Sequence, residues 1–552
     1  MQTVAFLVAE PQVMATAAGQ VEEIGSAIGV ANEFAAGSIS GVAAAAGDEV
    51  SAAIASFFAA HGQAYQTMAG QVAAFHTEFQ QALAQAGNAY VQAEAAGAAA
   101  LAGALGVPVT SAAAPTATIP PFPANLTTLV MGGTGIPIPG PGFINLANEL
   151  YVRSANALLG LNTPEELYPL TGTKSLTLDA SVSEGLTILD NAIMEQLAIP
   201  GNTVTVFGVS QSAVIASLEM QKLAALGPAA PTASQLNFVL LGNEMNPNGG
   251  LLARFPDLSI PSLGLTFYGG TPSDTIYPTA NYTLEYDGFA DFPRYPLNFI
   301  SDLNAVMDIV YVHPTYLDLT QAQVDNAIPL ATSPGYSGVT SYCILPTENL
   351  PLLEPLRAIP VIGNPLANLI QPDLKVLVNL GYGDPAYGYS TSPADITTPF
   401  GLFPDVPPHV IADALVAGTK QGISDFSADI QQMFSQPATL PSPPMLQAPD
   451  LMAALAAAPT PVEVVNTLTK IVSDDYATLL PLADIGTAFV ITMPTYDATL
   501  FVDQLLQGNL INAFGYPIAA DVGLTAISGG VVALVAIGTL QSNIRDLQSL
   551  FP

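Results

Sequence analysis

The spacing of apolar positions divides the chain into three regimes. Over its first hundred residues the larger side chains fall at Phe57, His61, Tyr65, Met68, Val72, Phe75, Phe79, Leu83 and Tyr90. The steps are three, four or seven, which is the repeat of one stripe along a helix. Met14, Val21, Ile24 and Ile28 form an earlier stripe, and Gly37 and Gly41 stand where the chain could reverse. Two helices with one stripe each cannot bury both faces alone, so this hairpin calls for a partner hairpin. Residues 101–125 lose the repeat and become a Pro/Ala/Thr linker, extended in character.

Beyond the linker the period switches. Residues 127–131 read as a short apolar strand ending in a Gly-rich turn. Ser181 and Glu184 have the spacing of a capping box for a helix running to Leu197. Residues 203–207 are β-branched and aromatic, as in a buried strand, and 213–226 read as a helix closed by Gly227 and Pro228. Further strands are predicted over 237–241, 263–268 and 283–286. Strands alternating with helices predict a mostly parallel, doubly wound sheet. From about residue 345 the chain turns Pro- and Leu-rich, then helical from about 405 to the end, with a proline cluster over 437–445. Residues 522–540 carry no charge, which by length admits a membrane span. They hold four glycines and no Lys or Arg flanks them until Arg545, so one arm of a buried helical hairpin is the expectation. The predicted division is 1–100, 101–125, 126–345 and 346–552.

Charge narrows the function classes. Among 552 residues there are 10 Lys and Arg against 44 Asp and Glu, a formal net charge of -34. Such a surface repels phosphate backbones, which excludes nucleic-acid binding. With Cys343 the only cysteine, no intrachain disulfide can form. The first basic residue is Arg153, so the positive start of a general secretory signal is missing.

The candidate chemistry centres on Gly208-Val209-Ser210-Gln211-Ser212, between a predicted strand and a predicted helix. A serine on such a turn needs small neighbours two before and two after it, here Gly208 and Ser212. An ordinary strand–turn–helix can show the same five residues, but the context is that of a nucleophile elbow. The helix N-terminus would aim the Gln211 backbone N–H at a developing oxyanion. A second donor would come from Gly133 or Thr134 in the turn Met131-Gly132-Gly133-Thr134-Gly135. A dinucleotide loop is ruled out there, because Ile136-Pro137-Ile138-Pro139 cannot open a helix. Of four histidines, His61 and His76 lie in the helical hairpin and His409 beyond the sheet. His313, in a loop after an apolar run, is preferred as the base. The orienting acid should fall between serine and histidine. Asp291 is favoured and Asp287, at a strand end, is the runner-up, while Asp302 and Asp308 read as helix or solvent residues. Cys343 has no motif and is expected to be buried. No cofactor motif or metal-ligand cluster is visible.

Two stretches carry a resemblance. Residues 20–32, QVEEIGSAIGVAN, with Tyr90 and Glu94 of YVQAE, resemble the PE domain of mycobacterial proteins; Tyr90 and Glu94 are similar to that family's type VII secretion signal. Glu10-Pro11 stands where the family has Pro-Glu. The pieces LVMGGTGIP, GVSQSAVIAS, YDGFADFPRYP and VHPTY resemble the PE-PPE domain, a serine hydrolase module related to cutinases and α/β-hydrolases. The resemblance implies a PE helical hairpin, an α/β-hydrolase-like sheet and a mainly helical C-terminal region. It implies pairing with a PPE protein, export by the type VII machinery and a place at the cell wall or surface. It also implies an esterase or lipase acting on acyl esters through Ser210, His313 and an aspartate, and both Asp287 and Asp291 lie inside the matching segment. The alternatives are acyl transfer onto trehalose-type glycolipids, and a non-catalytic adaptor that keeps the fold.

Overall fold

Most of the apolar runs beyond the linker do assemble one sheet. A computed structural model describes residues 127–153, 157–435 and 461–550. The N-terminal stripes, His61, His76, Tyr90, Glu94, the linker and the 437–445 proline cluster lie outside the described residues. In chain order the strands are β1 (Thr127–Val130), β2 (Ala157–Gly160), β3 (Val204–Val209), β4 (Leu236–Leu241), β5 (Ser259–Ile260), β6 (Leu265–Thr266), β7 (Thr279–Leu284), β8 (Ile328–Pro329) and β9 (Thr340–Leu345). Seven of them form a sheet of order β2-β1-β3-β4-β7-β9-β8. Every pairing in it is parallel except β8 with β9.

The alternation of side chains across a strand explains why this sheet is covered on both faces. On β3, Val204 and Val206 enter one core, while Phe207 and Val209 enter the other. The first core is closed by the helices Leu178–Leu197 and Gln211–Ala225. Each fully buried Leu or Phe there contributes about 1.5–3 kcal/mol. The result is an α/β-hydrolase-like, doubly wound sheet followed by a helical C-terminal region.

Local expectations differ from the fold in several places. Residues 263–268 do not join the sheet; Pro261 and the left-handed Gly264 interrupt them, and β6 pairs only with β5 in a separate antiparallel ribbon. Helix Leu178–Leu197 is capped by Thr177, whose Oγ1 accepts the Ala180 N–H. Ser181 is a buried residue inside the helix and its hydroxyl bonds Gln211 instead. β2 and β9 were not anticipated, the first being only four half-buried residues at the sheet edge. Cys343, on β9, is half-buried rather than buried.

The C-terminal region packs Pro408–Ser435 on Gly363–Asn379, and Met493–Leu506 on Leu510–Gln548. The last pair turns at Gly508, whose φ of 76° few other residues adopt. Residues 522–540 therefore belong to one arm of a hairpin, but not to a buried one. Gly523 and Leu524 are buried while Ile537 and Leu540 are exposed. By length and composition both Val462–Leu506 and Leu510–Gln548 meet the requirement for a membrane span. Here Leu510–Gln548 is laid against the sheet domain. A Cβ at Gly523 would come within 2.9 Å of Pro296, and one at Gly530 within 2.5 Å of Val306.

Candidate active site

The carboxyl ends of parallel strands converge on one region, as open α/β sheets tend to arrange it. Ser210 follows β3 directly and adopts φ 56° and ψ -125°, a strained conformation for a residue with a side chain. The turn is held on both sides. A Cβ at position 208 would meet the Ser212 carbonyl oxygen at 2.7 Å, so only glycine fits there. The Ser212 hydroxyl accepts the Val209 N–H at 2.8 Å and donates to the Val209 carbonyl at 3.0 Å. The serine at this position thus ties the turn instead of merely being tolerated.

His313, in a short 3₁₀ turn after the helix Phe299–Tyr311, brings Nε2 to 2.9 Å from Ser210 Oγ. Its Nδ1 lies 2.8 Å from both oxygens of Asp287. The acid against the imidazole is therefore Asp287, and the preference for Asp291 is corrected. Asp287 opens a turn in which its Oδ1 accepts the N–H groups of Phe289 and Ala290, and its Oδ2 accepts the Tyr316 hydroxyl at 2.6 Å. Burial alone would raise its pKa. The imidazole's charge and hydrogen bond, with the Tyr316 and Ala290 donors, outweigh burial and hold the carboxyl below its ordinary 3.8. Asp291 turns the other way and accepts the Tyr286 N–H. Burial holds its carboxyl well above the usual range despite the field of Arg254. A neutral acid could not orient a cationic imidazole, so charge state and geometry select the same residue. Asp302 and Asp308 are helix residues as expected, but both are buried. His409 is exposed, at the start of helix Pro408–Ser435.

For His313, burial works against the imidazolium. The charge of Asp287, its hydrogen bond and the charge of Glu244 prevail, and the pKa is raised above 6.5. Glu244, just beyond β4, went unnoticed in the sequence. It is buried, its Oε1 lies 3.4 Å from Ser210 Oγ, and burial lifts its pKa to about 7. At that distance it competes weakly with His313 for the hydroxyl proton. Its position one strand along from Ser210 was the available signal. Tyr316, within the VHPTY stretch, also went unremarked; its hydroxyl accepts the Leu284 N–H as well as donating to Asp287.

The glycine turn closes the other side. Gly133 packs on Ser210 so closely that a Cβ would lie 3.2 Å from the serine Cβ. Gly135 N–H donates to the Glu165 carbonyl at 2.7 Å, and Gln211 Nε2 donates to the Glu166 carbonyl at 2.8 Å and the Thr134 hydroxyl at 3.4 Å. Gln211 Oε1 accepts from Ser181. Gln211 thus braces the turn with its side chain while its N–H opens a helix, where the first donors lack intrahelical acceptors. Gly133, Thr134, Ser210 and His313 line one cleft of ≈ 520 Å³, otherwise walled by apolar residues such as Phe143, Leu146, Ile309 and Leu317. A hydroxyl bonded to an imidazole, beside backbone donors in an apolar cleft, is equipped for acyl transfer through an oxyanion.

Comparison with known proteins bears on this arrangement. The PE-PPE domain model matches residues 155–383, and the PE family model matches residues 7–97. Relatives from Mycobacterium tuberculosis include PE family protein PE3, 47% identical over 421 residues, covering 76% of this chain and 87% of that protein. Esterase PE16 is 46% identical over 404 residues, 72% of each chain. The uncharacterized PPE family protein PPE28 is 49% identical over 453 residues, 78% of this chain and 68% of that one.

Proposed function

The chain belongs to the PE family and carries a PE-PPE domain, and on that footing we propose that it is an esterase or lipase working through Ser210, His313 and Asp287. The observation that carries the reading is the unbroken line of contacts from Ser210 Oγ to His313 at 2.9 Å and from His313 to Asp287 at 2.8 Å. The name of Esterase PE16, 46% identical over the 404 matched residues, supports the same chemistry.

His313 Nε2 takes the Ser210 proton as Oγ attacks the ester carbonyl carbon. The oxygen that gains the charge is held by the Gln211 N–H and an N–H of Gly133 or Thr134. The imidazolium, steadied by Asp287, gives its proton to the departing alkoxide. Water, deprotonated by the same nitrogen, then releases the acid and restores the serine. The test is covalent: a fluorophosphonate probe should label the full chain, with the adduct mapped to Ser210, and p-nitrophenyl esters should be hydrolysed. A chain that neither labels nor hydrolyses would be a non-catalytic adaptor.

The pH profile follows from the charges. Catalysis needs neutral His313, whose pKa is raised, so kcat/KM should fall as pH drops and reach its plateau only well above 6.5. Glu244, lifted to about 7, lies close enough that its charge raises His313 while that of His313 lowers it. An acid limb with its midpoint below 6.5 on a neutral ester would contradict this electrostatic account.

Family membership also supports pairing of residues 7–97 with a PPE protein, and export through the type VII machinery to the cell envelope. Co-purification with a PPE partner, lost when residues 7–97 are removed, is the expected result; partner-independent recovery in the envelope fraction would count against it.

A further inference from the structure

Next to the Ser210 cleft lies a second cavity, of ≈ 90 Å³, that the mechanism does not use and that Ser210 itself does not line. It shares Leu167 and Phe289 with the larger cleft, so these two side chains stand between the two spaces. Glu244 forms part of its wall, with Oε1 3.4 Å from Ser210 Oγ. The far wall is Leu524, Ile527 and Val531 of helix Leu510–Gln548. Their spacing of three and four puts them on one helix face. Gly523 and Gly530 let that helix approach Pro296 and Val306 closely. Apart from Glu244 and one serine, the lining is aliphatic or aromatic.

An ester held at Ser210 has two ends to place. Its leaving oxygen must receive a proton from His313 Nε2, so the alcohol portion occupies the cleft that His313, Pro314 and Leu317 line. His313 has no part in the wall of the second cavity. The acyl portion has a second way out of the cleft, past Leu167 and Phe289 toward the cavity that Glu244 lines.

Resting on the serine-hydrolase reading, we propose that the second cavity receives the acyl chain, and that helix Leu510–Gln548 supplies its end wall and so sets acyl length. The lining fits an aliphatic guest, since a polar one would lose its hydrogen bonds there. An apolar cavity of about 150 Å³ takes the six carbons of benzene, so ≈ 90 Å³ admits about three to four methylene-sized groups. Glu244 sits at the end where the chain meets its carbonyl.

The test is kcat/KM for the full chain across p-nitrophenyl esters from acetate to dodecanoate, in wild type, Ile527→Phe and Ile527→Ala. Wild type should prefer short chains, with about four to six carbons. Phe at 527 should lower the hexanoate-to-acetate ratio at least ~10-fold, and Ala should move the optimum to longer chains. A small fluorophosphonate reports whether Ser210 is assembled in each variant; where Phe is not accommodated, the Ala variant decides. Unchanged length profiles with labelling intact overturn the chamber. Failure of wild type to hydrolyse any length overturns the hydrolase reading, and this one with it.

Discussion

Asp287→Asn is expected to lower kcat by a factor on the order of 10⁴ while the protein stays folded. The carboxylate now takes the Nδ1–H of His313, which leaves Nε2 free to accept the Ser210 proton. An amide there can turn its NH₂ toward the ring. Nδ1 then becomes the acceptor, the ring proton moves to Nε2, and the nitrogen that should take the serine proton is occupied. The amide oxygen can still accept from Phe289, Ala290 or Tyr316, so the turn survives. Asp291→Asn is the informative counterpart. Its carboxyl accepts the Tyr286 N–H and makes no contact with His313, burial favours its neutral form, and an amide is close to isosteric with it, so kcat should stay within a few-fold. Steady-state kinetics on one ester, with thermal melts to check folding, decide between them. The reverse pattern, a large loss in Asp291→Asn and little in Asp287→Asn, would return the orienting role to Asp291.

Ser210→Ala should be costlier still, on the order of 10⁶ in kcat, because the covalent route is removed and only the oxyanion donors and binding remain. Fluorophosphonate labelling should disappear with it. The hydroxyl's neighbours at 2.9 and 3.4 Å, His313 and Glu244, lose one partner, and alanine keeps the strained φ of 56°, so the fold should change little. Adding His313→Ala to Ser210→Ala should cost almost nothing further, since the two act as one unit. A Ser210→Ala protein that keeps a tenth of the wild-type rate would place the chemistry elsewhere.

Much of this was legible in the chain, for identifiable reasons. The elbow could be read because a strained strand–helix turn forces small residues at fixed offsets from Ser210. His313 could be read because so few histidines compete with it. The choice between Asp287 and Asp291 could not, since both follow the same strand within five residues. Only the fold shows that Asp287 closes its own turn against His313 while Asp291 accepts the Tyr286 N–H instead. Glu244 and Tyr316 were invisible for a related reason: their meaning comes from which strand or turn lies next door. The cap at Thr177 was missed because a matching Ser–Glu spacing at Ser181 pointed one turn too far along. The openness of Leu510–Gln548 was missed because apolar composition does not tell how many sides of a helix find neighbours.

The reactive groups come from four separate stretches, at Ser210, Glu244, Asp287 and His313, and the first three follow β3, β4 and β7, adjacent in the sheet. None is near another in the chain, so nothing short of the fully paired strands brings them within reach. A half-assembled molecule carries all of these side chains and none of their reactivity. On the serine-hydrolase reading, the chain is therefore its own safety catch, inert toward esters for as long as it remains unfolded.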